Sequence, residues 1–464
     1  MRKLLALSVI LSVLGLPALF AEVTVSGQFD AALIPLQVLI QDGDVAKRKG
    51  EEEIAIGAGL GRNGSNNNAP RARVGIVAQD PDGKVGLNFK LQFNANSSFR
   101  VAFDDFAEVW WKPIDWLKFD VGRFNIDTLR GKIGDDGWQH YTVRMKSPDE
   151  IFTRFQGQSN ARDNAGGGFA ISLTPLEGLF VGVGVPGLIS IAESNESHTD
   201  WVKEKALYAY QYVQAAVGYE IGGIGLARVQ YVGAKPAVDK LFIKDPVTDL
   251  WIYNTSFDPY YPTITAPKIE VAFAFTGMEG LVIDLGAKIP FGFKEPTGNV
   301  DIWKEEPDSY TVMGFSGDKV TWQAPFQVSL GAGFTTGPIN ILARIDTKFA
   351  GSVKIDTSGD PAIKLPFVLN AHLWPSYDLG FATVGIDFGL EFKGKTTDQD
   401  DKVIGEGTSA ERNGGVRVGF GAWIKKSIGP CSIRGGLAYR LGTEVDSTKE
   451  IAALTVPILF DYSF

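Results

Sequence analysis

The most constraining feature of the sequence is its last segment, 453–464. Apolar or aromatic side chains occupy every second position there: Leu454, Val456, Ile458, Phe460, Tyr462 and Phe464. Because successive side chains of a strand point to opposite faces, this segment predicts a strand with one wholly apolar face. Terminal residues of soluble domains are usually frayed, so a face that stays apolar to residue 464 calls for an apolar medium beside it. In lipid the free edge of such a strand must be paired, which predicts the closing strand of a transmembrane barrel.

The first residues have the pattern of a secretory signal peptide. Arg2 and Lys3 are followed by an apolar run over residues 4–16, which is too short to span a membrane as a helix. We expect cleavage after Ala21, so that 1–21 is the signal peptide and 22–464 the mature barrel. The single cysteine, Cys431, excludes an internal disulfide framework, and closed strand pairing in lipid would stabilise a chain of this length instead.

Alternating strands joined by short turns repeat along the chain. Segment 85–96 shows the clearest alternation, with Val85, Leu87 and Phe89 on one face and Asn88 and Lys90 on the other. Short turns alternate with long polar connections, as in bacterial outer-membrane barrels. Segment 41–68 is interpreted as a loop of this kind, although the alternation at 54–60 would also allow a partial strand. The pattern predicts an all-β, transmembrane, antiparallel up-and-down barrel of about 18 strands, with 16 as the alternative and both termini on the short-turn side.

Three features together resemble the Gram-negative porins. They are the signal peptide, the alternating hairpins from Val23 onward, and the aromatic last strand. The resemblance implies passive diffusion of small hydrophilic solutes and ions across the outer membrane, in contact with outer-membrane lipid. It also implies that the barrel-assembly machinery reads Phe460, Tyr462 and Phe464. Because trimers are common in that family, it further suggests a homotrimer.

The resemblance also implies that the connection after the fifth strand folds into the lumen and narrows it. Here that connection is 125–167, the longest of the set. Its charged residues of both signs are the constriction candidates: Asp127, Arg130, Asp135, Asp136, Arg144 and Arg154. The alternative is a surface loop packed on the outer rim or on a neighbour.

Charged residues recur on the polar faces of the predicted strands. If the barrel is as wide as predicted, these side chains line an aqueous channel, because wall side chains alone cannot fill it. In a soluble sheet protein they would face bulk solvent instead. The predicted pore-lining residues are Arg71, Arg73, Lys90, Lys118, Asp120, Arg228, Asp284, Arg344, Asp387, Arg417, Arg434 and Arg440. Basic residues prevail here although the chain carries a net charge of −9, which indicates a weakly selective pore with a mild anion preference.

Five tryptophans lie close to the predicted short turns: Trp110, Trp111, Trp116, Trp374 and Trp423. Their positions predict an aromatic girdle at the periplasmic membrane interface, with packing in a core as the alternative for each.

Other functions have weaker support in the sequence. The Tyr- and Pro-rich segment 253–262 favours an adhesin or structural barrel that binds through its long loops, which we keep as the alternative. A plugged transporter is disfavoured because strand alternation already starts at Val23. His140, His198 and His372 have no metal-ligand spacing, and no Ser/His/Asp arrangement or basic aromatic stripe occurs. We therefore expect no enzyme activity, no metal or cofactor, and no nucleic-acid partner.

Overall fold

The structure, a computed structural model, describes most of the predicted wall and parts of the connections. The described residues are 22–42, 53–61, 71–94, 100–126, 133, 138, 142, 155–156, 168–185, 213–233, 237–238, 242–244, 251–253, 264–291, 301–306, 309–314, 320–355, 362–395, 397–398, 415–443 and 450–464. The predicted signal peptide, 1–21, lies outside them. Among these residues no helix has the length and apolar character needed to cross a membrane.

Antiparallel strands form the wall of the molecule, and we number them along the chain. They are β1 (Glu22–Asp42), β2 (Arg71–Gln79), β3 (Val85–Asn94), β4 (Arg100–Ile114), β5 (Leu117–Arg123), β6 (Gly168–Leu173), β7 (Leu179–Val185), β8 (Gln214–Ile221), β9 (Gly225–Val232), β10 (Lys268–Met278), β11 (Leu281–Pro290), β12 (Gln327–Thr336), β13 (Ile339–Lys348), β14 (Val368–Asp378), β15 (Thr383–Lys393), β16 (Gly415–Ile428), β17 (Cys431–Thr443) and β18 (Glu450–Ser463).

Each of these strands pairs with its neighbour along the chain, and β18 closes the ring on β1. The closing register runs from Gln28 opposite Ser463 to Asp42 opposite Glu450. The prediction of an antiparallel up-and-down barrel with 18 strands is therefore confirmed. Both ends of the ring lie on the short-turn side, because the Ser463 amide donates to the carbonyl of Pro430, in the turn between β16 and β17.

Further strands lie in the long connections. Glu53–Gly61 pairs antiparallel with the second half of β1, so the sequence-based interpretation of this stretch as a loop was wrong. The alternation from Ile54 to Leu60 was the correct signal. The remaining short strands are Asn125–Ile126, Phe155–Gln156, Ala237–Val238, Phe242–Lys244, Trp251–Tyr253, Ile264–Thr265, Asp301–Glu306, Ser309–Gly314, Val320–Gln323, Gly351–Ile355, Ala362–Leu365 and Thr397–Asp398.

The two faces of the wall are inverted relative to a soluble protein. In β15, Asp387 is fully buried while its neighbours Ile386 and Phe388 are about half exposed, at 44% and 45%. In β13, Arg344 and Asp346 are buried while Ile345 between them is exposed. Because neighbouring residues point to opposite faces, the charged side chains face the interior and the apolar ones face outward. Such an exterior needs an apolar solvent, and lipid provides it.

The height of the apolar band matches a membrane. In β13 it extends from Ile339 at the short turn to Phe349 just past the strand. Ten residues at about 3.3 Å each, tilted by about 40°, cover roughly 25 Å along the barrel axis.

Aromatic side chains mark both rims of this band. On the short-turn rim Trp111 stacks on Phe119 at 5.4 Å between ring centroids, and Trp116 is also exposed. On the opposite rim Phe326, Phe349, Phe367 and Phe392 follow one another at 5.6–6.2 Å. The second row was not anticipated from the sequence, since it is built from phenylalanines of four different strand ends.

The predicted tryptophan girdle is correct for two of its five members. Trp110, Trp374 and Trp423 are buried, at 8%, 3% and 9% exposure, and lie on the inward-facing positions of their strands. The closeness of these tryptophans to a turn shows how far along the strand, and so at which depth in the wall, they lie. It does not show the face, because the face alternates from one residue to the next, and these three residues occupy inward-facing positions.

The closing seam is held by the last residue as well as by the strand register. Gly27 and Phe464 exchange two backbone hydrogen bonds, each 3.0 Å long. The Phe464 ring lies over Gly27, where a Cβ atom would occupy the space of the ring. Gly27 therefore accommodates the final aromatic side chain on the outer face of the seam.

We expect Gly27→Ala to weaken the seam, because the added methyl group must displace the Phe464 ring. The free energy of unfolding should fall by about 1–3 kcal/mol, the usual cost of overpacking, in urea titrations of the barrel in lipid vesicles. Gly435→Ala is the matched control, since a Cβ there meets Ile458 at an ordinary 3.8 Å. If the clash is the cause, Phe464→Ala should remove most of the effect of Gly27→Ala in a double-mutant cycle. Equal stabilities of both glycine variants would contradict this account.

Candidate pore and its lining

Charged side chains cover the inner face of the wall. Of the residues predicted to line the pore, Asp120, Arg228, Asp284, Arg344, Asp387, Arg417 and Arg434 are buried. Four more are partly buried and occupy inward-facing positions of their strands: Arg73, Lys90, Lys118 and Arg440. The side chain of Arg71 lies outside the described set. The wall thus brings these residues together around one interior. Within the described part of the chain, no group of three or more His, Cys, Asp or Glu side chains could hold a metal ion.

Opposite charges are paired along this face. Arg344 Nε lies 2.9 Å from Asp346 Oδ2, and Arg417 Nη1 lies 3.3 Å from Glu391 Oε2. Lys118 Nζ lies 2.6 Å from Asp120 Oδ1. Because a buried charge is costly unless it is paired, each of these contacts offsets part of the cost of burying its two charged groups.

Glu270 on β10 is a further enclosed acid of the inner face. Its Oε1 atom is 3.5 Å from Lys268 Nζ and 3.6 Å from Lys288 Nζ, and the residue is fully buried. One carboxylate therefore lies between two ammonium groups on neighbouring strands.

The inward tryptophans support cationic side chains. The guanidinium of Arg434 lies 4.6 Å from the Trp423 ring centroid, and Lys118 Nζ lies 5.5 Å from the Trp110 ring. Each ring in turn covers a glycine of the adjacent strand, Gly385 under Trp423 and Gly86 under Trp110. A cation over an aromatic face is held electrostatically, so these rings fix charged groups of the lining in position.

Three described residues of the connection between β5 and β6 contact the inner face of distant strands. The Ile133 amide donates to Asp284 Oδ2 at 2.8 Å, and its carbonyl accepts from Arg344 Nη1 at 3.2 Å. The Ile133 side chain packs on Trp374, Val282 and Leu342. These partners belong to β11, β13 and β14, which lie six to nine strands around the ring from β5.

Thr142 and Trp138 make the second and third contacts. Thr142 Oγ1 donates to Asp387 Oδ1 at 2.7 Å. Trp138 is fully buried in an apolar cluster with Trp423, Ala438 and Leu459, which also contains Ala32 and Ile34 of β1. These residues all lie on inward-facing positions of β1 and β15–β18.

The charged candidates of this connection, Asp127, Arg130, Asp135, Asp136, Arg144 and Arg154, lie outside the described residues. Sequence reasoning concentrated on charge and overlooked Ile133, Trp138 and Thr142, the residues that contact the wall. It also overlooked the glycines that face them, Gly331, Gly333, Gly419 and Gly421. The sequence did contain a signal for these contacts, namely two Gly-x-Gly pairs at inward-facing positions. Glycine has no side chain, so these positions leave space next to the sheet.

We expect Glu270→Gln to destabilise the barrel strongly, since it removes the carboxylate that both ammonium groups approach. The cost should reach roughly 3 kcal/mol in urea unfolding from lipid vesicles, as for other broken buried pairs. Lys268→Gln leaves Lys288 beside the carboxylate and should cost only about 1 kcal/mol. Equal effects of the two variants would show that Glu270 does not hold the pair together.

Comparisons with known proteins find matches among solved structures. No family model matches, and no curated protein matches. Among solved structures, an anion-selective porin from Comamonas acidovorans is 13% identical with a TM-score of 0.41, covering 96% of this chain and 100% of that chain. OmpF of Salmonella typhi in complex with daunomycin is 12% identical with a TM-score of 0.40, covering 95% and 97%. OpdQ of Pseudomonas aeruginosa is 8% identical with a TM-score of 0.42, covering 96% and 98%.

The architecture of this chain follows from its own sheet. Antiparallel strands close into a ring, each pairing with its neighbours in sequence, and the apolar face is outside. Long connections lie on one rim and short turns on the other. The chain therefore folds as a closed antiparallel barrel of 18 strands with an apolar outer face, which is the architecture of transmembrane β-barrels.

Proposed function

We propose that this protein is an outer-membrane porin through which small hydrophilic solutes and ions diffuse passively. The observation that carries the proposal is the inversion of the wall, with charged side chains inside and an apolar band of membrane height outside. A barrel of 16–18 strands is too wide for its wall side chains to fill, so a charged interior of this width holds water.

In this proposal, segment 125–167 folds into the lumen and narrows it. The support comes from the contacts of Ile133, Trp138 and Thr142 with inward-facing residues of β11–β18 and β1. The segment starts from β5, so reaching those strands takes it across the interior. A rim loop would have no access to Asp387 or to Gly421.

We further propose a mild anion preference. Basic side chains of the lining, such as Lys90, Lys118 and Arg440, remain partly accessible from the interior, whereas the acidic residues Asp120 and Asp387 are fully buried. Rings of charge in a wide pore bias ion passage without excluding either sign, because water screens them.

Export, assembly and oligomer state complete the proposal. Removal of 1–21 would leave Glu22 as the first residue of β1. The aromatic positions 460, 462 and 464 follow the outer face of the closing strand, where the assembly machinery could bind them before the ring closes. The apolar outer wall is compatible with contact to lipid and to two further copies in a homotrimer.

A second candidate is a binding barrel that acts through its long connections. Asp301–Glu306 and Ser309–Gly314 form a hairpin that pairs with Ala237–Val238, which pairs with Ile264–Thr265. This second sheet is separate from the wall and lies in the long connections. It could serve as a contact surface for another molecule.

Planar bilayers distinguish the two candidates. We expect the purified protein to produce discrete conductance steps on the nanosiemens scale and liposome swelling with small sugars, because the interior is polar and wide. In a salt gradient the reversal potential should indicate a weak anion preference, and Lys118→Gln should shift it towards cations.

Bilayers that remain silent with correctly folded protein would contradict the pore and favour the binding barrel. Strong cation preference of the wild type would contradict the proposed selectivity alone. The matched control for Lys118→Gln is Lys426→Gln, because Lys426 lies on the outward face of β16 and its charge is outside the conduit.

A further inference from the structure

We propose that the outer wall of β13–β17 carries a binding site for one phospholipid, whose acyl chain lies in an apolar depression and whose phosphate contacts Lys426. The site goes beyond the proposed pore, because it lies on the membrane face of the wall and not in the conduit. Its test counts retained lipid molecules and does not depend on conduction.

The depression interrupts the apolar outer face of the barrel. It has a volume of about 770 Å³ and extends across five strands, from Ile339 of β13 to Leu437 of β17. Ile386 and Ile424 also line it, and like Leu437 they are about half exposed. Ligand pockets commonly have volumes of about 300–1,000 Å³. The depression is therefore large enough to hold a ligand, whereas a smooth wall would only border on the bilayer.

Ala422 explains why the wall is recessed at this point. It pairs with Ile386 on β15 and with Leu437 on β17, so the three side chains point outward side by side. Its outward neighbours along β16 are Phe420 and Ile424, which are both about half exposed. A single methyl group among four long side chains leaves the sheet itself as the floor of the depression.

The lining of the depression suits a hydrocarbon chain. Aliphatic side chains surround the floor, and the backbone beneath is paired within the sheet. A chain that lies in such a recess touches protein atoms on several sides. Dispersion contacts are weak one by one and large in sum, so a chain in the recess gains more from them than a chain beside a smooth wall.

A cation lies next to the depression on the side of the short turns. Lys426 follows Ile424 by two residues on β16, so its side chain is on the same outward face, and it is exposed. The strand ends at Ile428, only two residues further. Because a charged side chain on the lipid face is costly except near the membrane interface, Lys426 indicates the level of the lipid headgroups.

This arrangement matches a phospholipid, which joins a phosphate at the interface to hydrocarbon directly below it. The ammonium group of Lys426 attracts the phosphate, and the depression takes the adjoining chain. A soluble anion would be attracted by the charge but would leave the apolar depression unused. A second copy of this chain that filled the depression would cover Lys426 with apolar wall, and burying an unpaired charge is costly.

The first test counts lipid molecules on the folded barrel. The protein is reconstituted in vesicles of equimolar phosphatidylglycerol and phosphatidylcholine, extracted in a mild detergent and weighed intact by native mass spectrometry. We expect the wild type to retain one phospholipid per chain. Ala422→Phe fills the depression and should abolish this retention. The matched control is Ala287→Phe, because Ala287 is an outward alanine of β11, between the exposed Leu285 and Ile289.

Both phenylalanines are added on the lipid face, so the barrel should fold in each variant, which circular dichroism verifies. Equal retention by the two variants overturns the site, and so does a wild-type barrel that emerges without phospholipid. If Ala422→Phe changes the number of chains per complex and not the retained lipid, the depression contacts a second copy, which also overturns the proposal.

The second test examines the headgroup contact. The wild type should retain the anionic phosphatidylglycerol in preference to the zwitterionic phosphatidylcholine. Lys426→Gln should lower the ratio of the two retained lipids by about fivefold, the usual effect of one lysine near an anionic membrane surface. Lys426→Arg retains the positive charge and should retain the wild-type ratio.

An unchanged ratio in Lys426→Gln would show that no phosphate is bound at this residue, and the proposal would then fail. A barrel that is silent in bilayers but retains lipid refutes only the pore. A barrel that conducts but loses no lipid in Ala422→Phe refutes only the lipid site.

Discussion

The structure depends on one requirement, that every backbone N–H and C=O group of the wall finds a partner within the sheet. Lipid offers no hydrogen bonds, so an open strand edge in the membrane would leave a whole row of these groups unpaired at several kcal/mol each. Closure of β18 on β1 removes that edge. The long register of this pair and the placement of Phe464 over Gly27 show that the seam is specified in detail on both strands.

Closure also determines what happens inside. A ring of this many strands encloses more space than its own side chains fill, and the lining is charged because the outer face must be apolar. Charges of the lining pair within the wall itself, as Glu270 does with Lys268 on its own strand and with Lys288 on the next. The remaining space is available to water and to segments of the chain that have the right complementary surface.

The sequence predicted the wall well because its signal is local. A period of two, repeated between turn residues, identifies strands and faces without knowledge of their partners, as in β3 and β15. The prediction of a tryptophan girdle was wrong for three residues because it used only their distance from a turn, which indicates membrane depth. The alternation of faces along the strand decides the side of the wall, and it places Trp111 outside and Trp110 inside. The strand Glu53–Gly61 was mistaken for a loop because its polar neighbours outweighed a short alternation.

The inner contacts could not be predicted from local patterns, because they join residues that are far apart in the chain. Thr142 lies in the connection between β5 and β6, and Asp387 lies in β15, 245 residues further along the chain. The two residues come together only when the strands have closed into a ring. Close approach of a segment to the wall requires small residues on the wall, and charge patterns in the sequence do not report on that requirement. Glycines at alternate inward positions therefore carry more information about an inserted segment than the segment's own charges. Gly419 illustrates the reason, since a single methyl group there would occupy the space of the Thr142 backbone. Long charged side chains on the inner face keep other segments away from the sheet. Inward-facing glycines, such as those of β12 and β16, leave room for backbone from another part of the chain to contact the sheet directly.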